Sequence, residues 1–355
     1  MTSSGKRALV AISIIILLVI IATVYAFHSR SKTALVGPAA APGLLDLLPS
    51  DAPILAYADL ASLRSSSLGP ALAGLGDPRY LDPDYAKFIR ETGFDYTKDL
   101  DRLAVAAWPS TATAAKRGVQ KQADVQILAV AEGRFDRAKI AAYAQRSGTV
   151  KQNGARQIYE MPSGKAGPDI LLTFLADGRI AISQGMPLDS VLAAQDHGSP
   201  NPAMTKRTER VARATFFVVA RANDLATASQ VPELQTGPMR KSIDSIQMLT
   251  LAGKPDANKL NIAVEGQCDS LPHALQLMAT LEGVRILGRV ALAGAAKNHQ
   301  IDQADAATLD KLLAMAAISR SENYVRVRVE LTSEFLQGAA ESKAGPTGPT
   351  SPLHR

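Results

Sequence analysis

Val130-Ala131-Glu132-Gly133-Arg134-Phe135-Asp136 and Ala263-Val264-Glu265-Gly266-Gln267-Cys268-Asp269 end two apolar runs in the same way, with E-G-x-x-D, and each leads into a segment with helical spacing of apolar residues. The pattern predicts a strand, a turn at glycine, and an Asp whose carboxylate accepts the first N–H groups of the next helix. The order of elements supports the match. In each half a strand leads to Asp-Leu-Ala, at Asp59-Leu60-Ala61 and at Asp224-Leu225-Ala226, and then to a hairpin and the strand-to-helix turn. The predicted fold is therefore α+β: two related halves, 44–198 and 213–337, each a largely antiparallel sheet covered by helices, joined by a connector at 199–212. Glu132 and Glu265 meeting as a carboxylate pair across a pseudo-twofold axis is the functional alternative; capping and solvation are the plainer reading.

Outward from these stretches the elements follow from local signals. Leu44 to Leu48 reads as a helical turn and Ile54 to Ala58 as a strand, with Asp59 as the cap of a helix from Leu60. Asp82 and Pro83 open a second helix that Gly93 closes. Strands are expected at Arg102–Trp108 and Asp124–Ala131, and a helix at Arg137–Arg146. A meander follows over Arg156–Met161, Asp169–Leu175 and Arg179–Ser183, with Asp177-Gly178 as its hairpin turn. After a short helix at Asp189–Gln195 and a break at His197–Pro202, Phe216–Ala220 is a strand. Ile243–Leu251 is expected to pair across Gly253-Lys254-Pro255-Asp256 with Lys259–Val264. A long helix covers Leu271–Leu292, with Leu277, Met278, Leu281, Val284 and Leu287 on its apolar side. Asp305–Ile318 is another helix and Tyr324–Leu331 a strand. The tail 338–355 is too polar and proline-rich to fold alone.

The opening P-S-D-A-P-I-L-A-Y-A-D-L-A-S-L-R (Pro49 to Arg64) and F-I-R-E-T-G-F-D-Y-T-K-D-L-D-R-L-A-V-A (Phe88 to Ala106) resemble an uncharacterised family of membrane-anchored bacterial proteins with no assigned activity. The resemblance implies an envelope-anchored bacterial protein and carries over no site residue.

Ala8 to Phe27 is an uncharged apolar run that follows Lys6 and Arg7 directly. As a helix it spans roughly 30 Å, the thickness of a bilayer core. Val24-Tyr25-Ala26 has the small-x-small form of a signal-peptide cleavage site, but the run is longer than such a segment and its Ile/Leu/Val-rich centre favours retention. The reading is a single-pass signal-anchor at 8–27, after a short cytoplasmic tail at 1–7 whose two bases keep it inside, so that the body lies on the extracytoplasmic, periplasmic side. Residues 28–43, with two Pro and two Gly, are a linker.

Most of the chain's net charge of +6 belongs to its flanks. Residues 1–32 and 338–355 hold six bases and one acid; without them 33 bases and 32 acids remain, a net of +1. That excludes a nucleic-acid partner and leaves membrane lipid, contacted through the anchor, as the partner that the basic flank suits.

No catalytic, cofactor-binding or metal residue is assigned. The five histidines lack metal spacing, Cys268 is the one cysteine, and G-x-S-x-G, P-loop and G-x-G-x-x-G patterns are absent. Cys268 reads as a small packed residue, His273 as a cap or surface residue, and Asp95, Asp99 and Asp101 as solvated turn carboxylates. The bases Lys116, Arg117 and Lys121 form a solvated loop tip. Two functions follow. One is a non-catalytic, membrane-anchored module that binds or scaffolds an unknown envelope protein or ligand and needs no cofactor. The alternative is an envelope hydrolase with dispersed acids among Asp59, Glu132, Asp136 and Glu265.

Overall fold

The structure is a computed structural model that describes residues 43–70, 83–109, 125–163, 168–229, 243–298 and 303–344. The expected anchor at 8–27, nearly all of the linker, the Asp82 cap, the Lys116–Lys121 loop tip and the end of the tail lie outside them. Among the described residues no helix is long and apolar enough to cross a membrane.

A 3-10 turn, Leu44–Leu47, leads to strand β1, Ile54–Asp59. Helix α1, Leu60–Ser65, starts at once because the Asp59 carboxylate accepts the Ser62 N–H at 2.8 Å. Helix α2, Pro83–Thr92, stops at Gly93, whose φ of 74° is the left-handed conformation that ends helices. Then come α3 (Tyr96–Asp99), β2 (Leu100–Pro109), β3 (Val125–Gly133) and α4 (Arg137–Ser147), which Asp136 caps through the Lys139 N–H at 3.1 Å. Strands β4 (Thr149–Asn153), β5 (Arg156–Met161), β6 (Ile170–Ala176) and β7 (Arg179–Gln184) form the meander, turned between β6 and β7 at Gly178 with φ 71°. Helices α5 (Asp189–His197) and α6 (Pro202–Thr208) and a 3-10 turn, Glu209–Val211, precede β8 (Phe216–Arg221). The chain closes with α7 (Ala222–Ser229), β9 (Ile246–Asp256), β10 (Lys259–Cys268), α8 (Leu271–Lys297), α9 (Gln303–Met315), β11 (Ala317–Ser321), β12 (Tyr324–Thr332) and α10 (Ser333–Ala344).

The strands make one antiparallel sheet of twelve in the order β11-β12-β10-β9-β8-β1-β2-β3-β7-β6-β5-β4. Read outward from the β1–β8 seam, β1-β2-β3-β7-β6 on one side answers β8-β9-β10-β12-β11 on the other, and β5 and β4 extend the first side. The expected sheets of the two halves are thus one sheet, joined where Ile54 faces Ala220 and Ala58 faces Phe216. Apolar residues on both sides of the seam let β1 be paired at both edges and covered on both faces.

Alternation along each strand sends side chains to two faces. On one, Leu55, Ala104, Leu128, Val130 and Ala181 pack under the first 3-10 turn and α5. We call it the connector face, because α6 and the Glu209–Val211 turn also lie on it. On the other, Ala58, Ala131, Ile180 and Phe174 pack against Leu60 and Leu63 of α1 and Ile140 and Ala144 of α4. Ile246, Cys268 and Val325 continue this helical face under Ala274 and Leu277 of α8.

The structure corrects several local expectations. The hairpin between β9 and β10 turns at Ala257, which takes φ 48°, while Gly253 to Asp256 stay in the strand. Pro255 is tolerated there because β8 pairs with β9 only as far as Gly253, so the missing N–H faces an unpaired edge. Asp224 is the third residue of α7 and not its cap, so Arg221 at the end of β8, rather than Asp224, is the counterpart of Asp59. Ile318 belongs to β11, and β4, a strand exposed at every position, was not expected because it shows no alternation. Residues 338–344, expected in the tail, belong to α10, which runs to Ala344.

Gly133 ends β3 and Gly266 lies two residues before the end of β10, but neither has the positive φ that a turning glycine would show. A methyl group at Gly133 would run into the carbonyl of Asp99, which also accepts the Arg134 N–H, whereas one at Gly266 would meet Leu277 and Ile246 at 3.5 and 3.6 Å, ordinary contact. Gly133→Ala should therefore cost about 1–3 kcal/mol, the usual penalty of overpacking, and Gly266→Ala within about 0.5 kcal/mol of nothing. Urea unfolding of the two variants checks the difference; equal losses would remove the Asp99 contact as the reason for Gly133.

Candidate functional site

Glu132 and Glu265 occupy matching places on the connector face, each directly opposite an arginine: Glu132 faces Arg179 on β7, and Glu265 faces Arg326 on β12. Arg179 donates to Glu132 Oε1 from Nε at 3.0 Å. Arg102 Nη2 lies 2.5 Å from Oε2 but off the line of a hydrogen bond, so that oxygen is met by charge alone. Glu265 is better supplied. Arg326 donates to Oε2 from Nε and Nη2 at 2.9 and 2.6 Å, and Arg210 from Nε to Oε1 at 2.7 Å. Burial alone would raise the Glu265 carboxyl, but the hydrogen bonds from Arg210 and Arg326 outweigh it and hold the group below its usual range. The two carboxylates do not meet. Five inter-strand steps separate β3 from β10, about 24 Å.

Beside Glu265 the connector face is hollowed into a groove of about 860 Å³. Helix α6 and the Glu209–Val211 turn form one wall, and β8, β9, β10 and Tyr324 of β12 form the floor. Four cations line it: Lys206, Arg207, Arg210 and Arg221. Arg210 is spent on Glu265 and lies 4.0 Å over the Tyr324 ring. Arg207 donates to the carbonyls of Ser50 and Pro53 at 2.7 and 3.2 Å, and Arg221 to that of Asp51 at 2.9 Å. Two guanidiniums thus grip one turn, and among the described residues the nearest carboxylate oxygen to either is that of Asp224, 3.9 Å from Arg221. Burial first, and then the charge of Arg221, pull Arg207 below its usual value. Lys206 has no partner among the described residues. None of these four residues stood out in the sequence, where residues 199–212 read as a connector; the signal was its T-K-R-T-E-R run.

Helix α8 is polar on the wrong side. Its first turns bury Ala274 and Leu277 on the sheet, but Val284 and Leu287, expected on the packed side, are 45% and 69% exposed. Ile286 at 59% and Val290 at 68% continue the patch. Arg285 pairs with Glu282, and Arg289 with Asp310 of α9 at 2.7 Å. Between Gly283 and Gly294 the charges are Arg285 and Arg289, both ion-paired.

The remaining sequence candidates are spent locally. Asp59 and Asp136 cap helices. Asp269 does not cap α8; Ser270 does, and Asp269 instead contacts His273 Nδ1 at 2.5 Å. Cys268 is fully buried, and burial, followed by the charge of Asp269, pushes its thiol up, away from a reactive thiolate. Asp95 caps α3, Asp99 pairs with Arg134, and Asp101 pairs with Arg64 at 2.5 Å. Among the described residues no three His, Cys, Asp or Glu side chains converge as metal ligands would.

No family model and no curated protein matches the chain. Solved structures of TP0453 are distantly similar to it. Its crystal forms III, I and IV align with TM-scores of 0.43, 0.42 and 0.43 at 12%, 10% and 10% sequence identity, covering 87%, 85% and 85% of this chain and 100%, 97% and 97% of theirs. At that distance the likeness is one of chain path, and no residue role passes across it.

Glu265→Gln leaves two arginines without a countercharge and should cost about 1–3 kcal/mol, less than a fully buried pair because both arginines reach solvent. The sign with pH follows from the depressed carboxyl. Its stabilisation is present above about pH 4.3, the ordinary glutamate value, and is lost as pH falls through the lower folded value. The gap between wild type and Glu265→Gln in urea unfolding should be wide at pH 7 and close in acid; a gap that widens in acid would contradict the assignment.

Proposed function

We propose that the protein is a non-catalytic, single-pass membrane-anchored module, held by Ala8 to Phe27 with its body on the extracytoplasmic side, where it binds a further envelope component. The observation that carries this reading is the outward apolar side of α8. Val284, Ile286, Leu287 and Val290 face solvent, while Arg285 and Arg289 are engaged by Glu282 and by Asp310 of α9. A helix that exposes several apolar residues beside ion-paired arginines is suited to a lipid surface. Fully burying such side chains is worth about 1.5–3 kcal/mol each. The linker, even fully extended, reaches only about 50 Å, so the anchor keeps the body close to the bilayer and little further association entropy is lost.

What supports the absence of catalysis is the dispersal of the acids. Asp59 and Asp136 sit at helix caps, Glu132 and Glu265 lie far apart, and of these four only Glu265 lines the groove. An acid and base working on one substrate must share a site.

The mirrored strand order supports an internal duplication about the β1–β8 seam, with β1, β2, β3, β6 and β7 answering β8, β9, β10, β11 and β12. The matched pairs Glu132–Arg179 and Glu265–Arg326 support it again, from side chains rather than topology.

Two measurements test the location. Protease added to spheroplasts should digest the body while a cytoplasmic control survives; full protection reverses the topology. The full chain carrying Leu287→Cys, reconstituted in liposomes and labelled there with an environment-sensitive probe, should be shielded from an aqueous quencher, whereas a label at exposed Lys254→Cys should not. Equal quenching at both sites removes the bilayer from α8, and a disulfide dimer through Cys at position 287 assigns the patch to a second copy instead.

A further inference from the structure

The groove on the connector face is lined by four cations and two acids. Of the cations only Arg210 is closely matched, through Glu265, and Glu209, the other acid, forms no ion pair with any of the four. Arg207 and Arg221 are steered into the groove wall by the carbonyls of Ser50, Asp51 and Pro53, which fix their direction and cancel none of their charge. Asp224, at 3.9 Å, is at the limit of an ion pair with Arg221. Lys206, one residue before Arg207, adds a third cation with no partner among the described residues. Like charges held together by backbone contacts in a concave site are a cost that an anion relieves.

We propose that this groove binds a phosphoryl group, held by Lys206, Arg207 and Arg221. Charge and geometry select it. A dianionic phosphate brings two charges and three acceptor oxygens to Lys206, Arg207 and Arg221, whereas a carboxylate brings one charge and two oxygens. Planar guanidiniums already anchored through some of their N–H groups keep others for bidentate contact, and losing little side-chain entropy favours binding. Beyond the cations the floor supplies Val219, Met248 and Tyr324 for the body of an ester, with Thr250 and Gln267 as polar contacts. The same chemistry is offered by a small phosphate ester in solution and by a phospholipid headgroup. This deepens the reading of the protein as a binding module and rests on it, but the groove is separate from the α8 patch, so each fails alone.

The test is isothermal titration of the full chain in neutral-detergent micelles at constant ionic strength. One arm uses inorganic phosphate and glycerol 3-phosphate, and the other uses micelles doped with phosphatidic acid. Saturable binding in the first arm assigns a soluble ester; binding confined to the second assigns a headgroup. In either case Lys206→Glu should weaken binding about tenfold or more, since a hydrogen bond between charged groups is lost and repulsion added. This variant sits on an exposed, unpartnered side chain and leaves the fold intact, unlike Arg207, which braces the Ser50–Pro53 turn. Lys254→Glu, exposed on β9, should bind as wild type. No saturable heat in either arm overturns the proposal, as does wild-type affinity in Lys206→Glu or an equal effect of Lys254→Glu.

Discussion

The pairing of β1 with β8 is the constraint on which the other features depend. Each strand has a neighbour on its far side, so the seam lies at the centre of the sheet and both faces there must be dry. Leu55 is fully buried on one face and Ala58 nearly so on the other. Tyr57 stacks on Phe217 across the seam at 5.5 Å between ring centres. Burial, more than the neighbouring Asp59, pushes the Tyr57 phenol up. The antiparallel register also brings the start of β1 beside the end of β8. Arg221 N–H donates to the Pro53 carbonyl, and its guanidinium reaches Asp51. The turn before β1 thereby becomes a wall of the groove, and α6 is fastened to that wall by Arg207.

Elements set by adjacent residues were legible in the sequence. Asp59 and Asp136 cap helices, Gly93 ends one, and Asp177-Gly178 turns a hairpin because the interactions span a few residues and depend on side-chain type. The α+β class followed from them. The single sheet was not legible, because nothing in Ile54–Asp59 or Phe216–Arg221 says that these two strands are each other's partners. Gly253-Lys254-Pro255-Asp256 has the composition of a turn and is a strand, because Gly253 makes room for the Phe216 ring that faces it across β8 and β9. A methyl group there would overlap the ring, so this glycine reports a packing contact rather than a bend.

The groove was hidden for the same reason. Arg207 reads the carbonyl of Ser50, 157 residues away, and Arg210 reads Glu265, 55 residues away. A run such as T-K-R-T-E-R looks like solvated surface until the fold brings a concave wall to it. The sequence did single out Glu132 and Glu265, and each is the centre of a separate arginine clamp. Their charge is used up in holding β3 to β7 and β10 to β12, and this leaves the neighbouring groove basic even though the body as a whole is close to neutral.

The two faces of the sheet then divide the work. Gly266 lies against Leu277 of α8, while Glu265, one residue earlier, points to the opposite face and its arginines. Helix α8 therefore covers the helical face, and its exposed apolar residues lie on that side of the sheet, whereas the groove opens on the connector face. A body resting on the bilayer through Val284, Ile286, Leu287 and Val290 turns the groove away from that bilayer. The headgroups of that membrane are then on the far side of a sheet and a helix from Lys206, Arg207 and Arg221. A phosphoryl group that enters the groove in this pose must come from the aqueous side or from a facing surface, because the exposed apolar residues of α8 and the groove lie on opposite sides of one sheet.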